Sequence, residues 1–87
     1  MGTEYLKEGA ARDPVGRLLL TVHRLGTDAR MASAAKEVDL SEREFMQAIA
    51  EAEWGGLLRR HERDGGIYLA LTSQGQARTE AILRPSL

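Results

Sequence analysis

Residues 41–71 read SEREFMQAIAEAEWGGLLRRHERDGGIYLAL, and the spacing of their apolar residues changes part of the way along. In the first half the apolar residues lie three and four positions apart, as they do on one face of a helix. Ser41 and Glu44 have the spacing of a capping box, in which the hydroxyl and the carboxylate each accept a backbone N–H. In the second half, two runs that suit strands flank Asp64-Gly65-Gly66, a typical turn sequence. The stretch therefore predicts a helix over 41–54 followed at once by an antiparallel hairpin.

Two helices are predicted before this stretch and one after it. Asp13-Pro14 is a helix start and Gly26 a helix end. Thr27 or Asp28 is expected to cap the second helix, and Thr72 or Ser73 the last one. The predicted buried positions are Val15, Leu18, Leu19, Val22 and Leu25; Met31, Ala34, Ala35 and Val38; Phe45, Ala48, Ile49 and Ala52; and Ala77, Ala81 and Ile82. The element order is helix, helix, helix, strand, strand, helix. It predicts a mostly α fold with a small β-hairpin, the winged helix-turn-helix class with a three-helix core, a two-stranded wing and a closing C-terminal helix.

The chain of 87 residues has room for one domain. We expect a flexible N-terminal arm over 1–12, the winged-helix domain over 13–84 and a C-terminal tail over 85–87. The absence of cysteine excludes disulfides, thiol catalysis and thiolate zinc sites. No apolar run approaches the length of a membrane span, so the expected location is the cytoplasm.

Three motifs in this order resemble the DNA-binding core of the MarR-type transcriptional regulators. They are Ala34–Ser41 (AAKEVDLS) at the helix-turn-helix, Gly56–Arg60 (GLLRR) leading into the wing, and Leu71–Gly75 (LTSQG) opening the last helix. The resemblance extends from about residue 28 to residue 83. It implies transcription regulation, with the third helix in the major groove of double-stranded DNA and the wing on the backbone or in the minor groove. The long helices that build the dimer of those regulators have no counterpart in this sequence, so we expect any homodimer to form through the first or the last helix.

Charge argues against tight nonspecific nucleic-acid binding, because the net charge is −1 and residues 41–64 carry four arginines against six carboxylates. A helical projection from Phe45 places Arg43, Gln47, Ala50 and Trp54 on the outward face. Arginine suits guanine and glutamine suits adenine in the major groove. The predicted DNA-contacting residues are Ser41, Arg43 and Gln47 on the third helix and Arg59, Arg60 and Arg63 on the wing. The alternative for these arginines is an ion pair with acids of the third helix or with Glu62.

A second hypothesis is a protein-interaction module that uses its acidic third helix. Tryptophan is enriched at interface hot spots, and Trp54 ends the outward face. The predicted partner-binding residues are Met46, Glu51 and Trp54. The structural alternative is that Trp54 folds back over the wing or the N-terminal arm and buries its ring.

Catalysis is not expected. His23 and His61 are 38 positions apart with no carboxylate at metal-ligand spacing, and the serines lie in no nucleophile motif. The sequence therefore predicts a binding protein without catalytic residues, metal or cofactor.

Overall fold

The computed structural model describes residues 13–84, and this range contains four helices and one antiparallel hairpin. In chain order the elements are α1 (Pro14–Leu25), α2 (Met31–Glu37), α3 (Glu42–Trp54), β1 (Leu58–Arg63), β2 (Gly66–Leu71) and α4 (Ser73–Leu83). The predicted order is confirmed, and the fold is mostly α with a small β-hairpin. The predicted arm over 1–12 and tail over 85–87 lie outside the described residues.

The starts of α1 and α3 are as predicted. The Asp13 carboxylate accepts a hydrogen bond from the Val15 N–H at 3.2 Å. At α3 the Ser41 hydroxyl accepts from the Glu44 N–H at 3.1 Å, and the Glu44 carboxylate accepts from the Ser41 N–H at 3.0 Å. The capping box therefore fixes the first residue of α3 and the direction in which the helix leaves the turn.

The start of α2 differs from the prediction. Thr27 and Asp28 lie in a short 3-10 turn, and Arg30 occupies the N-cap position, where its side chain makes no capping hydrogen bond. The reason is a contact with the hairpin. The Leu69 N–H donates to the Ala29 carbonyl at 2.7 Å, and Arg30 forms an isolated β-bridge with Tyr68. Because this pairing holds the chain extended before α2, the helix cannot begin earlier.

The core lies between α1, α3 and the hairpin. Its largest members include Leu18, Phe45, Ile49, Leu58 and Leu69, each at most 3% exposed. The buried stripe predicted for α3 is confirmed at all four positions. On α1, Leu18, Leu19 and Val22 are buried, and Val15 and Leu25 are partly buried.

The predicted buried face of α4 is wrong, and so is the predicted burial of Ala35 in α2. Ala35, Ala77 and Ala81 are exposed, and Ile82 is half-buried. The buried residues of α4 are Gly75 and Thr79. A Cβ added at Gly75 would lie 1.9 Å from the Leu57 carbonyl oxygen. Because the backbone of α4 approaches the chain before β1 this closely, its inward face carries small residues.

The hairpin has a two-residue turn at Asp64-Gly65, and both residues have a positive φ, 50° and 76°. This is the combination required by a type I′ turn, and it sets the strand register. Residues paired across an antiparallel hairpin share a face. The inner face, which packs toward α3 and the core, carries Leu58, Arg60, Glu62, Ile67, Leu69 and Leu71. The outer face carries Arg59, His61, Arg63, Tyr68 and Ala70.

Candidate nucleic-acid interface

The outward face of α3 is as predicted, since Arg43, Gln47, Ala50 and Trp54 are all exposed. The rigid helix presents Arg43 and Gln47 one turn apart near its N-terminus, as a helix that enters a groove must do. Ser41, the third residue predicted on this helix, is exposed, and its hydroxyl oxygen takes part in the capping box.

Carboxylates flank this face. The hydrogen bonds that the Glu44 carboxylate accepts from the Ser41 backbone N–H and from the Ser41 hydroxyl lower the pKa of Glu44, and the nearby charge of Arg17 lowers it further. The carboxylate therefore stays ionised at neutral pH beside Arg43. A phosphate that approached this turn of α3 would meet a negative charge.

The structure divides the predicted wing arginines into two groups. Arg60 lies on the inner face of the hairpin, and its Nε donates to the Glu53 carboxylate of α3 at 3.0 Å. The ion-pair alternative is therefore confirmed for Arg60. Arg59 and Arg63 lie on the outer face. The two strand faces thus separate residues that are neighbours in the sequence.

The outer face carries a cluster around Tyr68, formed with Arg30, His61 and Arg63 and called here the Tyr68 cluster. The His61 ring stacks on the Tyr68 ring with centroids 5.8 Å apart. The guanidinium carbons of Arg63 and Arg30 lie 4.4 and 5.4 Å from the Tyr68 ring centroid. Arg30 Nη2 also donates to the Tyr68 hydroxyl oxygen at 3.2 Å. Hydrogen bonding from Arg30, the larger effect, and from Arg63 lowers the pKa of Tyr68. Within residues 13–84, no carboxylate forms an ion pair with either arginine.

Sequence reasoning did not find Arg30 or Tyr68. The pairing of His61 with Tyr68 follows from the turn at Asp64-Gly65, so the register could have revealed it. No local signal relates Arg30 to Tyr68, because they are 38 positions apart and meet through the isolated bridge.

Trp54 is 92% exposed, so the alternative in which it folds back over the wing is wrong, and the N-terminal arm of that alternative lies outside the described residues. Glu51 is also exposed. Met46 is 44% exposed and lines an apolar groove of about 700 Å³ between α2, α3 and the start of β2. Met46 and Trp54 are eight residues apart, which is about 12 Å along a helix axis. The groove and the tryptophan are therefore separate features.

A second cavity, of about 340 Å³, lies between the end of α1, the hairpin and α4. It brings His23 and His61 together with Arg63 and Gln76. In the part of the chain that the structure describes, no group of three or more histidines and carboxylates could hold a metal ion.

Comparison of the chain with protein-family models, with curated proteins and with solved structures gives no match. None of the helices between residues 13 and 84 has the length and apolar character needed to cross a membrane.

Proposed function

We propose that this chain is a small winged-helix protein that binds double-stranded DNA, as a cytoplasmic transcriptional regulator or accessory factor and not as an enzyme. One observation supports this most strongly. The exposed face of α3 begins with Arg43 and Gln47, and beside it stands a hairpin whose Arg59 and Arg63 have no ion-pair partner among residues 13–84. The resemblance of three motifs to those of the MarR-type regulators implies that the same helix and hairpin contact DNA.

Each group has a distinct role in this proposal. Arg43 and Gln47 read guanine and adenine edges in the major groove. Arg59 and Arg63 contact phosphates or enter the minor groove. Arg60 does not contact DNA in this proposal, because its ion pair with Glu53 fixes the hairpin against α3.

A second copy of the chain would raise the affinity, because one recognition helix reads only a short site. The exposed Ala77 and Ala81, one turn apart on α4, offer one surface for a homodimer. The first helix is the other candidate. Sedimentation at several concentrations, with and without a two-site duplex, would measure the assembly.

The test of the proposed function is a fluorescence-anisotropy titration of labelled duplexes with the protein, at low salt and over a salt series. Arg59→Ala should reduce the slope of log K against log salt by about 0.9 on every duplex, because one phosphate contact is lost. Arg43→Ala should instead change the preference among duplexes. Arg78→Ala is the matched control, because it removes the same charge from an exposed position on α4. Failure of the folded wild-type protein to bind any duplex at low salt would refute the proposal.

The second candidate function is binding of a protein partner through α3, and the 92% exposure of Trp54 favours it. The carboxylates that flank α3 suit a basic partner with apolar side chains. Trp54 is the only tryptophan, so its fluorescence reports its own environment. Titration with a lysine-rich amphipathic peptide should shift the emission to the blue, and Trp54→Ala should lose the binding while keeping the unfolding temperature. Unchanged emission would argue against this candidate.

A further inference from the structure

We propose that Arg30, Arg63 and Tyr68 together hold one phosphate group of a nucleic-acid backbone on the outer face of the hairpin. This site rests on the proposed function and adds two contacts, Arg30 and Tyr68, that the helix-turn-helix and wing motifs do not assign. Three features of the Tyr68 cluster support the site: the donors that converge there, the contacts that hold them in place, and the charge around them.

Three donors converge on one point. Arg30 Nη2 lies 3.2 Å from the Tyr68 hydroxyl oxygen, and the guanidinium carbon of Arg63 lies 4.4 Å from the centroid of the same ring. A tyrosine hydroxyl accepts through its oxygen and donates through its own hydrogen. Two guanidinium groups and one O–H are therefore available to the same oxyanion. Guanidinium forks match the geometry of phosphate oxygens.

The donors are held by the fold. The bridge between Arg30 and Tyr68 fixes the backbone of Arg30 against β2. The Arg63 guanidinium and the His61 ring pack on the Tyr68 ring, which restricts their movement. Gly66 leaves room for the Arg30 side chain, since a Cβ there would lie 3.2 Å from Arg30 Nε. Because the donors are already held in place, binding a phosphate would cost less conformational entropy.

The positive charge of the Tyr68 cluster favours the binding of an anion. Two guanidinium groups repel each other, and in residues 13–84 neither forms an ion pair with a carboxylate. Like charges so close together are stabilised when an anion lies between them. The Glu53 carboxylate of α3 is paired with Arg60 on the inner face, on the opposite side of the hairpin. A phosphate at the Tyr68 cluster therefore lies on the face of the hairpin away from this carboxylate.

The site predicts that the Tyr68 cluster contributes one phosphate contact to the salt dependence of DNA binding. If the two arginines share one phosphate, the variant with both Arg30→Ala and Arg63→Ala should reduce the salt slope by about 0.9, and not by the roughly 1.8 expected of two separate phosphates. Each single variant should weaken binding about tenfold, since a charge-assisted hydrogen bond is lost. The two losses should not be additive, because the residues act on one group.

Three further variants separate geometry from charge. Arg30→Lys keeps the charge and should therefore keep the slope of log K against log salt. It should weaken binding, because the guanidinium fork is lost. Tyr68→Phe should weaken binding at an unchanged slope, because it removes one neutral donor. Gly66→Ala should displace the Arg30 guanidinium by a few tenths of an ångström and weaken binding less than Arg30→Ala does.

The experiment uses the full chain, duplex DNA and Arg78→Ala as the control, with circular dichroism to show that each variant is folded. If wild type binds duplex DNA and the Arg30 and Arg63 variants bind like Arg78→Ala, the phosphate site is refuted while the proposed function stands. If wild type binds no duplex, the proposed function fails. In that case, titration with inorganic phosphate, followed by the arginine Nε–H resonances, shows whether the Tyr68 cluster binds free phosphate. Shifts at Arg30 and Arg63 would assign the site to free phosphate and overturn its assignment to nucleic acid. Unchanged resonances would overturn both the nucleic-acid assignment and the phosphate site itself.

Discussion

Replacing Gly75 with alanine should destabilise the domain, although one general effect favours the change. Alanine has a higher helix propensity than glycine by about 1 kcal/mol, chiefly because glycine loses more backbone entropy on folding. This effect would raise stability if the new methyl group had room.

The structure leaves no room. The new Cβ would lie 1.9 Å from the Leu57 carbonyl oxygen, a distance that must increase beyond 3.0 Å. Moving α4 that far strains the hydrogen bonds from the Thr72 N–H to the Leu57 carbonyl and from the Thr72 hydroxyl to the Gly56 carbonyl. Overpacking of this kind costs up to about 3 kcal/mol, and two weakened hydrogen bonds add about 2 kcal/mol. After the favourable term of about 1 kcal/mol is subtracted, the expected loss is about 3 to 4 kcal/mol.

Thermal unfolding followed by far-ultraviolet circular dichroism measures this loss. In a domain of this size, 3 kcal/mol corresponds to a fall in Tm of about 12 to 24 °C. Gly55→Ala is the control for the general effect of losing a glycine, because its φ is −80° and its nearest contact is 3.3 Å. It should change stability by less than about 1 kcal/mol. A Gly75→Ala protein as stable as wild type, or more stable, would refute the close approach of α4 to Leu57.

Three further predictions concern the capping box and the Tyr68 cluster. Ser41→Ala should lower the free energy of unfolding in urea by about 1 kcal/mol, since the N-cap acceptor is lost; an unchanged midpoint would contradict the capping box. The pKa of Glu44 is lowered in the folded state, so its stabilising contribution is present above pH 4.5 and is lost as the pH falls through the folded-state pKa. The stability difference between wild type and Glu44→Gln should therefore shrink on acidification, and a difference independent of pH would count against it. The hydrogen bond from Arg30 lowers the pKa of Tyr68 below 10.0. An absorbance titration in a Tyr5→Phe background should give a midpoint below that value, which rises in Arg30→Ala; equal midpoints would exclude this hydrogen bond.

Local signals predicted much of the fold. The capping box, the Asp13-Pro14 start and the Asp64-Gly65 turn each lie within a few residues of the structure they determine. The start of α2 was missed because it depends on β2, which is almost 40 positions further along the chain. The buried face of α4 was missed because the backbone of Leu57 selects for a glycine where periodicity favours apolar side chains.

The candidate site was predictable to a similar extent. Helical geometry alone placed Arg43 and Gln47 outward, since the α3 stripe fixes which face is buried. The division between Arg60 and Arg63 follows from strand register, which the turn sets, so the sequence contained it. The meeting of Arg30 with Tyr68 did not follow from any local pattern, because tertiary pairing creates it.

The backbone contacts of Ala29 and Arg30 with β2 also bear on how this protein avoids aggregation. An unpaired strand edge attracts strands of other molecules. On β2 the edge away from β1 is covered at its centre by the Ala29 carbonyl and by the bridge at Arg30. The other open edge belongs to β1, whose residues 58–63 are LRRHER, and charged side chains there discourage addition of another strand. Together these two features protect both edges of the hairpin from pairing with strands of other molecules at high protein concentration.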